Sequence, residues 1–388
     1  MSCAKAIFIG SNLGINFKCH PEHFEGCILV SFTFRQAQGD EAFYYFRNMK
    51  TAQIAFLFFL GLLGASCTRK KEPDLSEIKL DLKIERFDQD MHQLNAVNLE
   101  TKCPDLQKKY SWFYADYMEG MLSVGPVNDT AYYQNLRMVL SQQDYRDLAT
   151  EVATKFPDLK KQEEELTDAF KRIQYHFPEQ KIPRIISFLS GFAVQTTIGN
   201  DYIGIGLDMF LGSDSKFYPA LVQSIPQYIS RRFTPENISP RVVEAFIREE
   251  LYPERDADQS FIDKMVYNGK VLYLMQELMP EAADSTLIGY TEAQLNWCKE
   301  YEADIWAYYM EENLLFETDY LKMQKYLTDA PFTPGLGEGQ SSAPKLGVWT
   351  GWQIVKKYMD EHPETTLQQI LALKDAQKIL KDSRYKPK

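Results

Sequence analysis

From residue 78 the chain alternates. Ile78, Leu80, Leu82 and Ile84 are apolar, and Lys79, Asp81, Lys83 and Glu85 are charged. A period of two predicts a half-buried strand. The period then lengthens. Residues 104–122 and 130–140 carry helical patterns. In 158–173, Leu166, Phe170 and Ile173 form a stripe opposite Lys160, Glu163, Glu164 and Lys171, and Pro157-Asp158 supplies a helix start. Residues 184–189 read as a short apolar strand, 193–197 as extended chain and Gly199-Asn200-Asp201 as a turn. Residues 202–209 read as a further strand, with Ile203, Ile205, Leu207 and Met209 on one face and Gly204, Gly206 and Asp208 on the other. Glycines on one face of a strand let something approach closely.

Helical patterns dominate the remainder of the chain: 219–232, then 241–252 with Ser239 as N-cap and Pro240 at the first helical position, 261–279, 291–312, 352–362 and a short tail. Residues 334–342 read as a flexible loop. Together the elements predict an α+β fold, a mostly helical single domain over 78–388 with one small sheet.

The run Ile54 to Leu63 is uniformly apolar apart from small residues, follows Met49-Lys50 and leads into Gly64-Ala65-Ser66-Cys67. A basic start, an apolar run and small residues before a cut make a secretory signal over 49–66. The run is too short to span a bilayer, which takes about 20 apolar residues. A cysteine directly behind Gly-Ala-Ser resembles a bacterial lipobox, although Gly64 stands where leucine is more usual. On that reading Cys67 is the lipidation site and the first residue of the mature chain. Several acyl chains on one residue anchor stably where a single chain does not. The alternative is an ordinary secretory signal with a chance cysteine. Residues 67–77 are polar and suit a tether. Thr68-Arg-Lys-Lys-Glu72 lacks an acidic run, which leans toward the periplasmic side and leaves inner or outer membrane open.

Residues 1–48 precede a complete signal and show no sustained period, so they read as a mis-assigned start. Their Cys19-His20-x-x-His23-x-x-x-Cys27 cluster has zinc-ligand residue types, but its spacing matches no standard zinc pattern.

Composition narrows the function. With 45% hydrophobic residues and a net charge of −11, the chain can build a core and lacks the basic surface that a nucleic-acid partner needs. Six cysteines and five histidines in 388 residues exclude a disulfide scaffold. Beyond Cys67 only Cys103 and Cys298 remain. They read as buried small hydrophobes, although a bridge is permitted in an oxidising compartment.

Candidate chemistry is sparse. His92, His176 and His362 lie far apart, and the chain has no His-Glu-x-x-His, Gly-x-Ser-x-Gly or Walker motif. Gly335-x-Gly337-x-Gly339 follows Pro334 rather than a strand, so it reads as a loop and not a phosphate cradle. Glu244 and Arg248 stand four residues apart on the 241–252 helix, the spacing of an ion pair, with Glu249 and Glu250 behind them. A glycine-faced strand followed by a charged helix can hold an extended peptide, and Asp208, Arg241, Glu244 and Arg248 are the candidate cleft residues. The competing and favoured reading is a solvated helix face with an incidental pair. Trp349 and Trp352 could stack on a ligand, but core packing is the favoured reading there too. No cofactor and no metal ligand set is expected.

Four segments carry a family resemblance: Pro183-Arg-Ile-Ile-Ser-Phe-Leu-Ser-Gly-Phe192, the run from Gly199 to Gly212, the run from Tyr228 to Asn237, and Gly347-Val-Trp-Thr-Gly-Trp-Gln-Ile-Val355 with Tyr358-Met359. In that order, behind a lipobox-like signal, they resemble the GldB gliding-motility lipoproteins of Bacteroidetes over nearly the whole mature length. The resemblance implies an envelope lipoprotein linked to gliding motility and, through that machinery, to type IX secretion. It also implies a distant, degenerate zincin-like fold, in which an edge strand at 202–211 lies beside a helix at 241–250. That helix contains no histidine, so the likeness would carry fold and not catalysis. Two expectations result: a non-catalytic lipoprotein that binds envelope proteins, or a hydrolase using carboxylates such as Asp208, Glu244 or Glu277. The first is favoured, because zinc sites use His and Cys at set spacings.

Overall fold

The computed structural model describes residues 72–388 except Val222. The signal, Cys67 and the Cys19–His20 cluster therefore lie outside the described residues. The fold is α+β, mostly helical with one four-stranded mixed sheet. The strands β1 (Ile84–Arg86), β2 (Arg184–Phe188), β3 (Thr196–Ile198) and β4 (Tyr202–Gly206) lie in the order β1-β2-β4-β3. β1, β2 and β4 run parallel and β3 antiparallel to β4. Alternation sorts the side chains onto two faces. Ile185, Ile203 and Ile205 join one core cluster, and Ile186, Phe188 and Tyr202 join the other.

The smaller cluster is built by α1 (Phe87–His92), α2 (Leu99–Tyr110) and α3 (Tyr132–Ser141). It is aromatic: Phe87 meets Tyr110, Phe113 and Tyr117 edge-on at 4.8–5.0 Å between ring centroids, an arrangement that ring quadrupoles favour. The larger cluster takes α4 (Gln143–Lys155), α5 (Lys160–His176), α6 (Ile238–Phe246), α7 (Phe261–Leu278), α8 (Glu292–Glu300), α9 (Glu302–Glu311), α10 (Leu346–Glu361), α11 (Leu367–Ala372) and α12 (Ala376–Ser383). Cys103 is buried in the smaller cluster and Cys298 in the larger, and both thiols are free.

Several elements differ from the pattern reading. The alternating run is half-buried as its period predicts, but only 84–86 pairs as strand. Upstream, helix side chains take the backbone donors: Leu82 N–H goes to Thr167 Oγ1 at 3.1 Å and Ile84 N–H to Glu163 Oε1 at 3.0 Å. The expected 219–232 helix breaks into single turns at Tyr218–Leu221 and Gln227–Ser230. Pro226, itself extended at ψ 149°, sits between them: proline has no N–H to give to a continuing helix and disfavours the helical region for the residue before it. The 291–312 helix is interrupted at Tyr301, giving α8 and α9. Tyr145, Leu148, Ala149 and Val152 stand at i, i+3, i+4 and i+7, a stripe that the pattern reading leaves out, and helix α4 buries the last three of them. Conversely, α10 starts six residues before the expected Trp352.

At the other end, α12 buries Ala376 and Ile379 in the larger cluster. Lys270, buried in α7, donates its ammonium to the Leu373 carbonyl at the end of α11 and lies 3.2 Å from the Tyr252 hydroxyl. The Tyr385 hydroxyl donates to Glu302 of α9 at 2.8 Å. The 334–342 loop is pinned at its base, where Ser342 Oγ accepts from Thr333 N–H at 3.0 Å and donates to its carbonyl at 2.9 Å.

Candidate functional site

The structure separates the candidate residues into three places. Asp208 lies in a tight turn (Leu207–Phe210) directly after β4, so the strand ends before it and the residue is fully buried. Its carboxylate accepts from Ser190 N–H at 2.7 Å, Phe192 N–H at 2.6 Å and the Ser190 hydroxyl at 2.9 Å. Gly191 and Phe192, which it spans, both have left-handed φ, 66° and 63°. Burial raises the Asp208 pKa above the ordinary value, and the hydrogen bonds from Ser190 and Phe192 oppose the shift. This carboxylate holds a turn.

The glycine face of β4 is not a groove. β4 is an interior strand between β2 and β3, not an edge strand as the zincin-like arrangement would have it. A Cβ on Gly204 would fall 2.7 Å from the side chains of Phe188 and Thr197, and one on Gly206 would fall 2.2 Å from the Val194 carbonyl oxygen. What approaches the glycines is the protein itself, so no extended peptide can lie there.

Trp349 and Trp352 are buried in α10 within the larger core, 2% and 0% exposed, which places them away from any ligand surface. Lys356 Nζ lies 3.7 Å from the Trp352 ring centroid, a cation–π contact, and pairs with Asp284 at 3.2 Å.

Arg241, Glu244 and Arg248 do come together. Helix α6 starts at Ile238, earlier than the expected Ser239-Pro240 cap, with no side-chain cap; the Ser239 hydroxyl is committed to Glu165 at 2.6 Å. After Phe246 the helix widens to a π turn, Ile247–Leu251, which carries Arg248. Such wide turns recur at functional sites. Glu244 is clamped between Arg241, one turn before it, and Arg248 Nε at 3.0 Å. Arg241 also donates to the Leu287 carbonyl at 2.9 Å, and Arg248 to Asn268 Oδ1 at 3.0 Å.

These three residues line a cavity of about 340 Å³. Its far wall supplies residues that no sequence pattern marks: Asn268 from α7, Asp329, and Lys345 at the start of α10. Asp329 sits between Lys345 at 3.0 Å and Arg232 at 2.8 Å. Burial works against ionising Glu244, but Arg241, Arg248 and Lys345 outweigh it and hold its pKa at about 2. Asp329 likewise stays well below the usual carboxylate range against its burial, through Lys345 and Arg232. Burial pulls Lys345 down to about 8; Asp329 opposes that, while Arg232 and Arg241 add to it. No local motif announces this cluster, because its members come from positions 232 to 345 and only tertiary packing joins them.

Glu277 is not part of the cavity; it faces Tyr273 on its own helix and raises that phenol's pKa on top of the effect of burial. Among the described residues, no group of three His, Cys, Asp or Glu side chains is placed to hold a metal ion, and no helix is long and apolar enough to cross a membrane.

No curated protein and no solved structure matches the chain. A family profile described as gliding motility protein GldB matches residues 68–387 and so takes in all four motif segments and every cavity residue. The chain belongs to the gliding motility protein GldB family.

Proposed function

We propose that the protein is an envelope lipoprotein held to the membrane by lipid on Cys67, facing the periplasm, and that it serves gliding motility and the associated type IX secretion by binding proteins rather than by catalysis. The signal ending in Gly-Ala-Ser-Cys supports the anchor, as does a family match that begins at residue 68, directly behind Cys67.

The observation that carries the non-catalytic reading is the clamp on Glu244. A carboxylate that is counter-ion to two guanidiniums, with a pKa near 2, is a weak base and is never a proton donor near neutral pH. The same guanidiniums repel a divalent cation. Asp208 is spent on backbone N–H groups in the interior. Neither carboxylate is poised for hydrolysis.

The test uses full-length chain expressed in its own envelope. Cys67→Ala is expected to move the protein from the membrane to the soluble fraction, and the wild-type N-terminal peptide is expected to carry lipid by mass spectrometry. Retention of the variant in the membrane overturns the anchor. Cleavage of a denatured protein substrate in the presence of zinc, abolished by Glu244→Gln, overturns the non-catalytic reading.

A further inference from the structure

The cavity beside α6 has an imbalance of charge. Arg241, Arg248 and Lys345 line it, with Arg232 paired behind Asp329, and among the described residues two carboxylates, Glu244 and Asp329, answer these four cations. The cations are partly withdrawn from water: the side chains of Arg241 and Lys345 are 16% and 12% exposed. Concentrated positive charge in a low-dielectric recess is costly unless an anion answers it. The protein as a whole is acidic, with a net charge of −11, so this is a local exception to its composition.

Two further features point the same way. Arg241 Nε is buried beside the cavity and meets no acceptor among the described residues, so this guanidinium is under-satisfied, although that nitrogen does not itself face the cavity. Lys345 is also the N-cap of the 16-residue helix α10, whose start carries no side-chain cap; a helix N-terminus adds partial positive charge and uncommitted N–H groups. The recess, at about 340 Å³, is the size of a small-ligand site and opens to solvent, since Arg248 is 29% exposed.

We infer that the cavity between α6, α7 and the start of α10 binds a small oxyanion, a phosphate or carboxylate group, on Arg241, Arg248 and Lys345. Arg248 Nε and Arg241 Nη1 are committed to Glu244, and it is the remaining terminal N–H groups of these guanidiniums that can donate to the oxygens of either group. The ammonium and the helix start close the other side. The inference gives the cavity a ligand class beyond the protein-binding role; that role is tested by Cys67→Ala and by the protease assay and the cavity by anion titration, so each can fail without the other.

The test is isothermal titration of the full-length protein with inorganic phosphate and, separately, with acetate, at matched ionic strength in chloride. Saturable binding of at least one anion is expected. Lys345→Gln should weaken it at least tenfold and Lys345→Arg should largely keep it, while Lys322→Gln, which alters an exposed ion pair outside the cavity lining, should change nothing. Phosphate binding alone identifies a phosphate-type ligand, and acetate binding a carboxylate-type one. Should Lys345→Gln fail to fold, Arg248→Gln reports on the same site. Absence of saturable binding by both anions, or affinities unchanged in the folded variants, overturns the inference.

Discussion

Gly269 of α7 and Gly351 of α10 meet backbone to backbone. A Cβ on Gly269 would lie 2.2 Å from the Gly351 carbonyl oxygen, and one on Gly351 would lie 1.8 Å from the carbonyl oxygen of Met265. Both glycines cost helix propensity where they stand, and the close crossing is what they permit. Because Lys345 is the N-cap of α10, this contact also sets where the cavity's lysine is presented.

Gly351→Ala is therefore expected to destabilise the protein, even though alanine is the better helix former by about 1 kcal/mol. Overpacking costs roughly 1–3 kcal/mol and cannot be relieved by a rotamer change when the obstacle is main chain. Denaturant unfolding should show a lower midpoint. A midpoint at or above that of the wild type would mean that the helices can separate without cost.

Acid should weaken the fold through Glu244. Its pKa falls from 4.5 to about 2 on folding, so the stabilisation it contributes is complete above pH 4.5 and is lost as pH falls through 2. A shift of that size corresponds to at most about 3–4 kcal/mol. Glu244→Gln should flatten the stability profile between pH 4.5 and pH 2 relative to the wild type. Parallel profiles would remove Glu244 from the account.

On the alkaline side the sign reverses. Lys345 holds a pKa of about 8 against 10.5 when unfolded, so between those values the unfolded chain binds more protons and stability should rise with pH. Asp329, Glu244, Arg232 and Arg241 all act on its charge. Lys270 of α7, also near 8, adds to the same window. Thermal melts of Lys345→Gln against wild type from pH 8 to pH 10 should show a smaller gain in the variant. An equal gain would assign the effect to Lys270.

Asp208→Asn should cost roughly 1–3 kcal/mol, because an amide replaces a carboxylate that accepts three hydrogen bonds in the interior, and one of its atoms is a donor facing donors. Hydrogen exchange at Ser190 and Phe192 should quicken first. Unchanged exchange there would show that the left-handed pair Gly191-Phe192 holds itself.

Patterns governed by near neighbours were legible in the sequence. The stripe of Leu166, Phe170 and Ile173 does face the core, and Ile203 and Ile205 do share a sheet face. The Glu244–Arg248 pair was readable because its partners are four residues apart on one helix. What depends on distant chain was not. Nothing local says that Thr167 and Glu163 will take the donors of Leu82 and Ile84, or that β3 will cover the outer side of β4. The glycines of β4 correctly signalled a close approach, and only the fold could show that Phe188 and Val194 make it. Lys345 and Asp329 lie too far from Glu244 along the chain to read as one cluster.

The buried ammonium of Lys270 has a consequence for how the molecule is completed. Its acceptor, the Leu373 carbonyl, and the apolar residues Ala376 and Ile379 that seal the larger core all come from the last sixteen residues of the chain. Polypeptides are made from the N-terminus, so α7 and α10 exist for a time with a charged amine and an unsealed apolar face open to water. A product that stops short of residue 373 keeps that face open permanently, which is the signature that proteases and chaperones act on. Residues 373–379 thus decide whether this core is sealed, and a chain that lacks them is expected to be cleared faster than one that has them.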